Sequence, residues 1–138
     1  MNIGQAAKQT GLNSKTIRYY EEIHLITPDR QNNGYRDYSD QHIEILNFLK
    51  VARSLSFSIE NCRTLLGMYH DENRASKDVK QLVAQQITEL DEIIANSQKM
   101  KATLQHLSNN CHGDNRPQCA ILDAFGAGIV NKPDQSVK

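Results

Sequence analysis

Two residues near the C-terminal end of the chain, Cys111 and Cys119, have the type and spacing to do chemistry. The segment between them holds Gly113 and Pro117, which suit a tight loop, so the two thiols can be brought together. Pro117 also stands where a short helix would begin its first turn, before Ala120-Ile121-Leu122. Cys119 would then lie near a helix N-terminus, where the backbone dipole favours thiolate. Two thiolates fall short of the four ligands of structural zinc. Only His106 and His112 could complete such a set, and His112 adjoins Cys111, which makes joint tetrahedral use awkward. Two soft ligands suit a soft monovalent d¹⁰ ion, Cu(I) first. With a +1 ion the pair keeps a net −1, whereas a +2 ion would neutralise it. A reversible Cys111–Cys119 disulfide switch and two unrelated thiols stand beside this reading on equal terms. The third cysteine, Cys62, falls inside an apolar helical pattern and is expected to be a small buried hydrophobe.

A second group of polar residues could bind nucleic acid. Lys15, Thr16, Arg18 and Tyr19 lie together after Asn13-Ser14, a helix-capping pair. Ahead of them Ile3, Ala7 and Leu12 can share one buried face, and Gly11 suits a turn at positive φ. With Ile17 as the anchor of the second helix, this is the spacing of a helix-turn-helix. Pro28 ends regular helix. Asn33-Gly34 then signals a hairpin turn between two short extended runs. A hairpin there would be a wing, with Arg30, Asn32 and Asn33 at its tip and Tyr35 and Arg36 on its return strand.

The rest of the chain must position these groups. Ser39 or Asp40 can cap a helix with Ile43, Leu46, Leu49 and Ala52 on its apolar side, and Ser58 can cap the next. From residue 76 to 108 a single long helix is expected. Its heptad runs Val79, Val83, Gln86, Leu90, Ile93, Ser97, Met100, Leu104, Leu107, with seven of nine positions apolar. Such a helix is about 50 Å long at ~1.5 Å per residue, more than a small N-terminal domain can cover. The stripe therefore asks for a partner helix, most simply that of a second copy.

Composition is consistent with this reading. The 138 residues are 38% hydrophobic and 6% aromatic, which suits a small helical core and argues against a large β-sandwich. Charge is balanced at 16 Lys+Arg against 16 Asp+Glu, so nucleic-acid binding has to rest on placement of charge. The N-terminus is no secretory h-region and no apolar stretch is long enough to span a membrane, so a soluble cytoplasmic protein is expected. No Ser/His/Asp set, phosphate loop or paired-carboxylate motif is visible, which argues against an enzyme.

The runs Asn2-Ile3-Gly4-Gln5-Ala6-Ala7, Thr16-Ile17-Arg18-Tyr19-Tyr20-Glu21, Leu25-Ile26-Thr27-Pro28 and Asn33-Gly34-Tyr35-Arg36-Asp37-Tyr38 strongly resemble the MerR family of transcriptional regulators. The Cys111-to-Cys119 loop, followed by Ala120-Ile121, resembles that of the family's copper-responsive branch. The resemblance covers roughly residues 1–122. It implies a mainly α fold with a winged helix-turn-helix DNA-binding domain over 1–70 and a dimerisation coiled-coil helix over 71–108. A metal-binding loop and short helix would follow over 109–125, then a tail over 126–138, without Cys or His and expected to be disordered. It implies a homodimer that activates transcription by distorting an overlong promoter spacer when one Cu(I) per chain, or Ag(I) or Au(I), binds Cys111 and Cys119. The partners would be promoter DNA of inverted-repeat symmetry and RNA polymerase, and the genes would serve copper efflux. By position, Lys15, Arg18 and Tyr20 map to the recognition helix, Arg30, Tyr35 and Arg36 to the wing, and Arg53 to the following helix. Val79, Val83, Leu90, Ile93, Met100, Leu104 and Leu107 map to the dimer seam. Ser76 occupies a position that is cysteine in relatives sensing divalent ions, and so is expected to select for monovalent ones; read from the residues alone, it is an N-cap.

Overall fold

The computed structural model describes residues 1–128. Its elements are α1 (Ile3–Thr10), α2 (Ser14–Glu22), β1 (Asp29–Arg30), β2 (Arg36–Asp37), α3 (Asp40–Ser54), α4 (Ile59–His70), α5 (Ser76–Asn109) and α6 (Ala120–Ala127). The fold is mainly α, as the sequence predicts. The chain forms two compact units, Met1–Leu82 and a second beginning at Val83, so α5 runs across the division.

In the first unit the starts of α1, α2, α3 and α4 are fixed by capping side chains. Asn2 and Gln5 form a reciprocal capping box at α1, and Asn13 accepts the Thr16 N–H at α2. Ser39 caps α3, with the His42 ring accepting the Ser39 N–H in return, and Ser58 caps α4. Gly11 closes α1 at φ 79. The turn between the strands ends at Gly34, φ 85, whose N–H donates to Gln31 O at 2.8 Å. The strands pair antiparallel, Asp29 opposite Asp37 and Arg30 opposite Arg36.

The core of this unit gathers Ala6, Ile17, Tyr20, Leu25, Ile26, Tyr38, Ile43, Leu46, Leu49, Phe57 and Cys62. Cys62 is fully buried, as its apolar setting predicts. The fully buried small residue of α1 is Ala6, while Ile3, Ala7 and Leu12 pack half-buried around it.

In the second unit α5 presents Val83, Ile87, Ile93, Ile94, Met100 and Leu104 as exposed apolar side chains. Leu107 differs from the expected open seam: it is already buried within the single chain. The heptad position is met, but its surface is taken. α6 carries no buried residue and leaves Leu122 and Phe125 exposed. It ends at Gly128, φ 69, so Gly126 and Ala127 are helical and not part of a tail. The remainder of the expected disordered segment, from residue 129, lies outside the described residues. No helix among the described residues is long and apolar enough to cross a membrane.

Candidate nucleic-acid interface and thiol pair

In the first unit, α2 and the hairpin form one polar face. Lys15, Arg18 and Tyr19 are exposed on α2, and Tyr35 stands out from the hairpin with 71% of its surface free. A cleft of about 540 Å³ is lined by Met1, Asn2, Gln5, Arg18, Tyr35 and Arg36. Two guanidinium groups therefore flank a groove that a backbone phosphate could enter.

The hairpin is fastened to α2 through the Glu21 carboxylate. Glu21 Oε1 accepts from Arg30 Nη2 at 2.6 Å, and Glu21 Oε2 accepts from Arg36 Nε. Arg30 also donates to Gly34 O at 3.3 Å. Arg30 thus sits in β1 and braces the turn, not at the tip as predicted. The ion pair with Glu21 holds the Arg36 guanidinium more firmly protonated than usual. Glu21 and the two arginines are nine and fifteen residues apart, so no local pattern announces the contact.

Tyr20 does not lie on the exposed face of α2 expected of it. It is only 4% exposed and belongs to the core, so it is not available to DNA. Helical spacing explains this: Tyr20 lies three residues after the fully buried Ile17, on the same face of α2. Burial pushes its phenol up, while neighbouring Arg53 pulls it down. Arg53 itself is exposed and donates to Phe57 O at 2.7 Å. Tyr38 is buried with no hydrogen-bond partner for its hydroxyl among the described residues, and burial together with Glu21 raises its pKa.

In the second unit, the Cys111 and Cys119 sulfurs lie 3.5 Å apart, both half-buried. Asp114 shapes the loop between them. Its Oδ1 accepts the Arg116 N–H at 2.9 Å, and its Oδ2 accepts Arg116 Nε at 2.8 Å. That pairing holds the Asp114 carboxyl below the usual carboxylate range. Cys119 occupies the N-cap position of α6. The Leu122 backbone N–H, and next the Cys111 thiol, lower the Cys119 pKa from the ordinary thiol value, which eases its deprotonation. Among the described residues no group of three or more His, Cys, Asp and Glu is placed to hold a metal. Two thiols at this separation are a donor pair of the kind that soft cations take. His112 is exposed. Ser76 is the first residue of α5, one place past the cap position expected of it, and is exposed.

Comparison with known proteins adds to this geometry. A family profile described as "MerR HTH family regulatory protein" matches residues 1–68, and one described as "MerR, DNA binding" matches residues 43–107. The chain is 47% identical over 134 residues to "Heavy metal-dependent transcription regulator 2" of Rhizobium meliloti, covering 95% of this chain and 91% of the relative. It is 41% identical over 124 residues to the HTH-type transcriptional regulator CueR of Salmonella typhimurium, covering 89% and 90%. Its fold matches the crystal structure of PbrR691 from Ralstonia metallidurans, solved with lead(II), at a TM-score of 0.77 and 24% identity over 91% of this chain and 98% of that one.

Proposed function

Because the chain belongs to the MerR family of DNA-binding transcriptional regulators, which are not enzymes, we propose that it is a Cu(I)-responsive activator of copper-efflux genes. The observation that carries the metal assignment is the isolated pair of sulfurs, Cys111 and Cys119, 3.5 Å apart. Their lowered proton affinity at Cys119 and the exposed Ser76 support the same reading. One Cu(I), Ag(I) or Au(I) per chain would be held by these two side chains, and the ion supplies a soft acceptor for both thiolates.

The working unit is a cytoplasmic homodimer. Support comes from the exposed row Val83, Ile93, Met100 and Leu104 on α5, with Val79 and Leu90 half-buried on the same heptad. A two-fold pair of reading heads fits promoter DNA with inverted-repeat symmetry. Lys15 and Arg18 on α2, Tyr35 and Arg36 on the wing, and Arg53 on α3 make the DNA contacts, mostly to phosphates. Arg30 contributes by holding the wing to Glu21. With metal bound, the dimer distorts an overlong promoter spacer so that RNA polymerase engages both elements, a readout through DNA deformation.

The deciding experiment is an anaerobic Cu(I) titration of the purified protein against a competing chelator, with Zn(II) in parallel. One tightly held Cu(I) per chain, lost in Cys111→Ser and Cys119→Ser, is expected. Both variants should lose metal-induced transcription while keeping operator affinity within a few-fold. Preferred Zn(II) uptake would overturn the assignment. The same sulfur proximity favours a second reading, a redox regulator in which peroxide oxidises the two thiols to a disulfide. A mass loss of two hydrogens that tracks transcription would select it.

A further inference from the structure

The reading helix α2 ends without a cation of its own. Its last turn carries Glu21 and Glu22, whose charges oppose the negative C-terminal end of the helix dipole. Ile23 caps the helix and His24 follows at φ 61, in the left-handed region that favours glycine. The His24 N–H donates to Glu21 O at 3.0 Å and the Leu25 N–H to Tyr20 O at 2.9 Å, the two bonds of a Schellman ending. Those bonds leave the Ile23 and His24 carbonyls outside the ladder.

A residue on another helix takes both. Arg63 of α4 donates from Nη2 to Ile23 O at 2.7 Å and from Nη1 to His24 O at 3.4 Å. The donor and the two acceptors are 40 and 39 residues apart in sequence. A guanidinium fork on two successive carbonyls fixes direction as well as distance, which a single point charge does not. The first helix of the pair is held in a simpler way: Lys50 of α3 donates to Thr10 O at 2.7 Å, beside Gly11.

We propose that Arg63 is the positioning residue of the recognition helix, coupling the seat of α2 to α4 without touching DNA. The proposal rests on reading α2 as the recognition helix. It assigns Arg63 a role in operator affinity although it lies outside the face formed by Lys15, Arg18, Tyr35 and Arg36. The residue that makes the contact necessary is His24: a non-glycine at this φ persists only where its surroundings hold it.

The test uses the full-length protein and a labelled duplex selected by the wild type from a random pool, titrated across a range of salt concentrations. Arg63→Ala should weaken binding about tenfold, the scale of one charge-assisted hydrogen bond. The salt dependence should stay as in the wild type, because no phosphate contact is lost. Arg63→Lys should recover part of the affinity. Adding His24→Gly to Arg63→Ala should restore the thermal midpoint, since glycine suits the left-handed position, without restoring affinity. Wild-type affinity in Arg63→Ala would overturn the proposal. So would a salt slope lowered by about one, which marks a direct phosphate contact. Full recovery of affinity in the double variant would reduce Arg63 to an offset for strain and overturn it too. Arg18→Ala is run alongside: its loss of affinity upholds the recognition-helix reading, and no loss sinks that reading independently of Arg63.

Discussion

Glu21 organises the wing at the level of single side chains. Its carboxylate is only 18% exposed and meets Arg30 and Arg36 at once, so each strand of the hairpin is tied to α2 through the same group. Charge-assisted bonds in partly shielded settings exceed ordinary surface ion pairs. Glu21→Gln keeps the size and removes the charge. It should lower stability by about 1 kcal/mol, read as a drop of a few degrees in the melting midpoint. It also frees two guanidinium groups and raises net positive charge, so non-specific DNA binding should rise while the ratio of specific to non-specific affinity falls. An unchanged ratio in competition with random duplex would show that the wing needs no such tether.

At the scale of elements, two glycines test how the helix ends are built. Gly11 closes α1 at φ 79, and a Cβ there would stand 2.7 Å from Lys50 Nζ. Both the backbone and the neighbour resist a side chain, although the lysine end can move. Gly11→Ala should cost about 1 kcal/mol or more in denaturant unfolding. Gly67 lies inside α4 with open space where its Cβ would go. Gly67→Ala should stabilise by about 0.5–1 kcal/mol, the usual helix-interior difference. Opposite signs from the same substitution are the expected result, and a gain at Gly11 would contradict the left-handed cap.

For the molecule as a whole, the core sets an upper pH limit. Burial raises Cys62, Tyr20 and Tyr38 above their ordinary values of 9.0, 10.0 and 10.0. A raised acid holds its proton more tightly in the folded state than in the unfolded chain. Its contribution is therefore complete below the ordinary value and is lost as pH rises through the raised one. Melting should be steady from neutral pH to about pH 9 and fall above it. Tyr38→Phe removes one of these groups together with a buried hydroxyl that has no partner among the described residues. It should be neutral or stabilising by up to about 1 kcal/mol at pH 7, and should move the alkaline fall upward. A large loss at neutral pH would mean that the hydroxyl is paired.

Much of this protein follows from short-range pattern. The caps Asn13, Ser39 and Ser58, the glycine of the hairpin turn, and the long helix from Ser76 are all set by neighbours within one or two turns. The Cys111/Cys119 pair was legible for the same reason, because a loop of this length needs little entropy to close. What spacing did not decide is which side of each element the core would claim. Tyr20 reads as a recognition residue until Leu25, Ile26 and Tyr38 gather with it in the core. Leu107 reads as an open seam residue until the single chain covers it. The contacts that hold α2 to the hairpin and to α4, Glu21 with Arg30 and Arg36 and Arg63 with Ile23 and His24, join residues 9 to 40 apart. Their partners are chosen by how the elements pack, and local propensity carries no information about that choice.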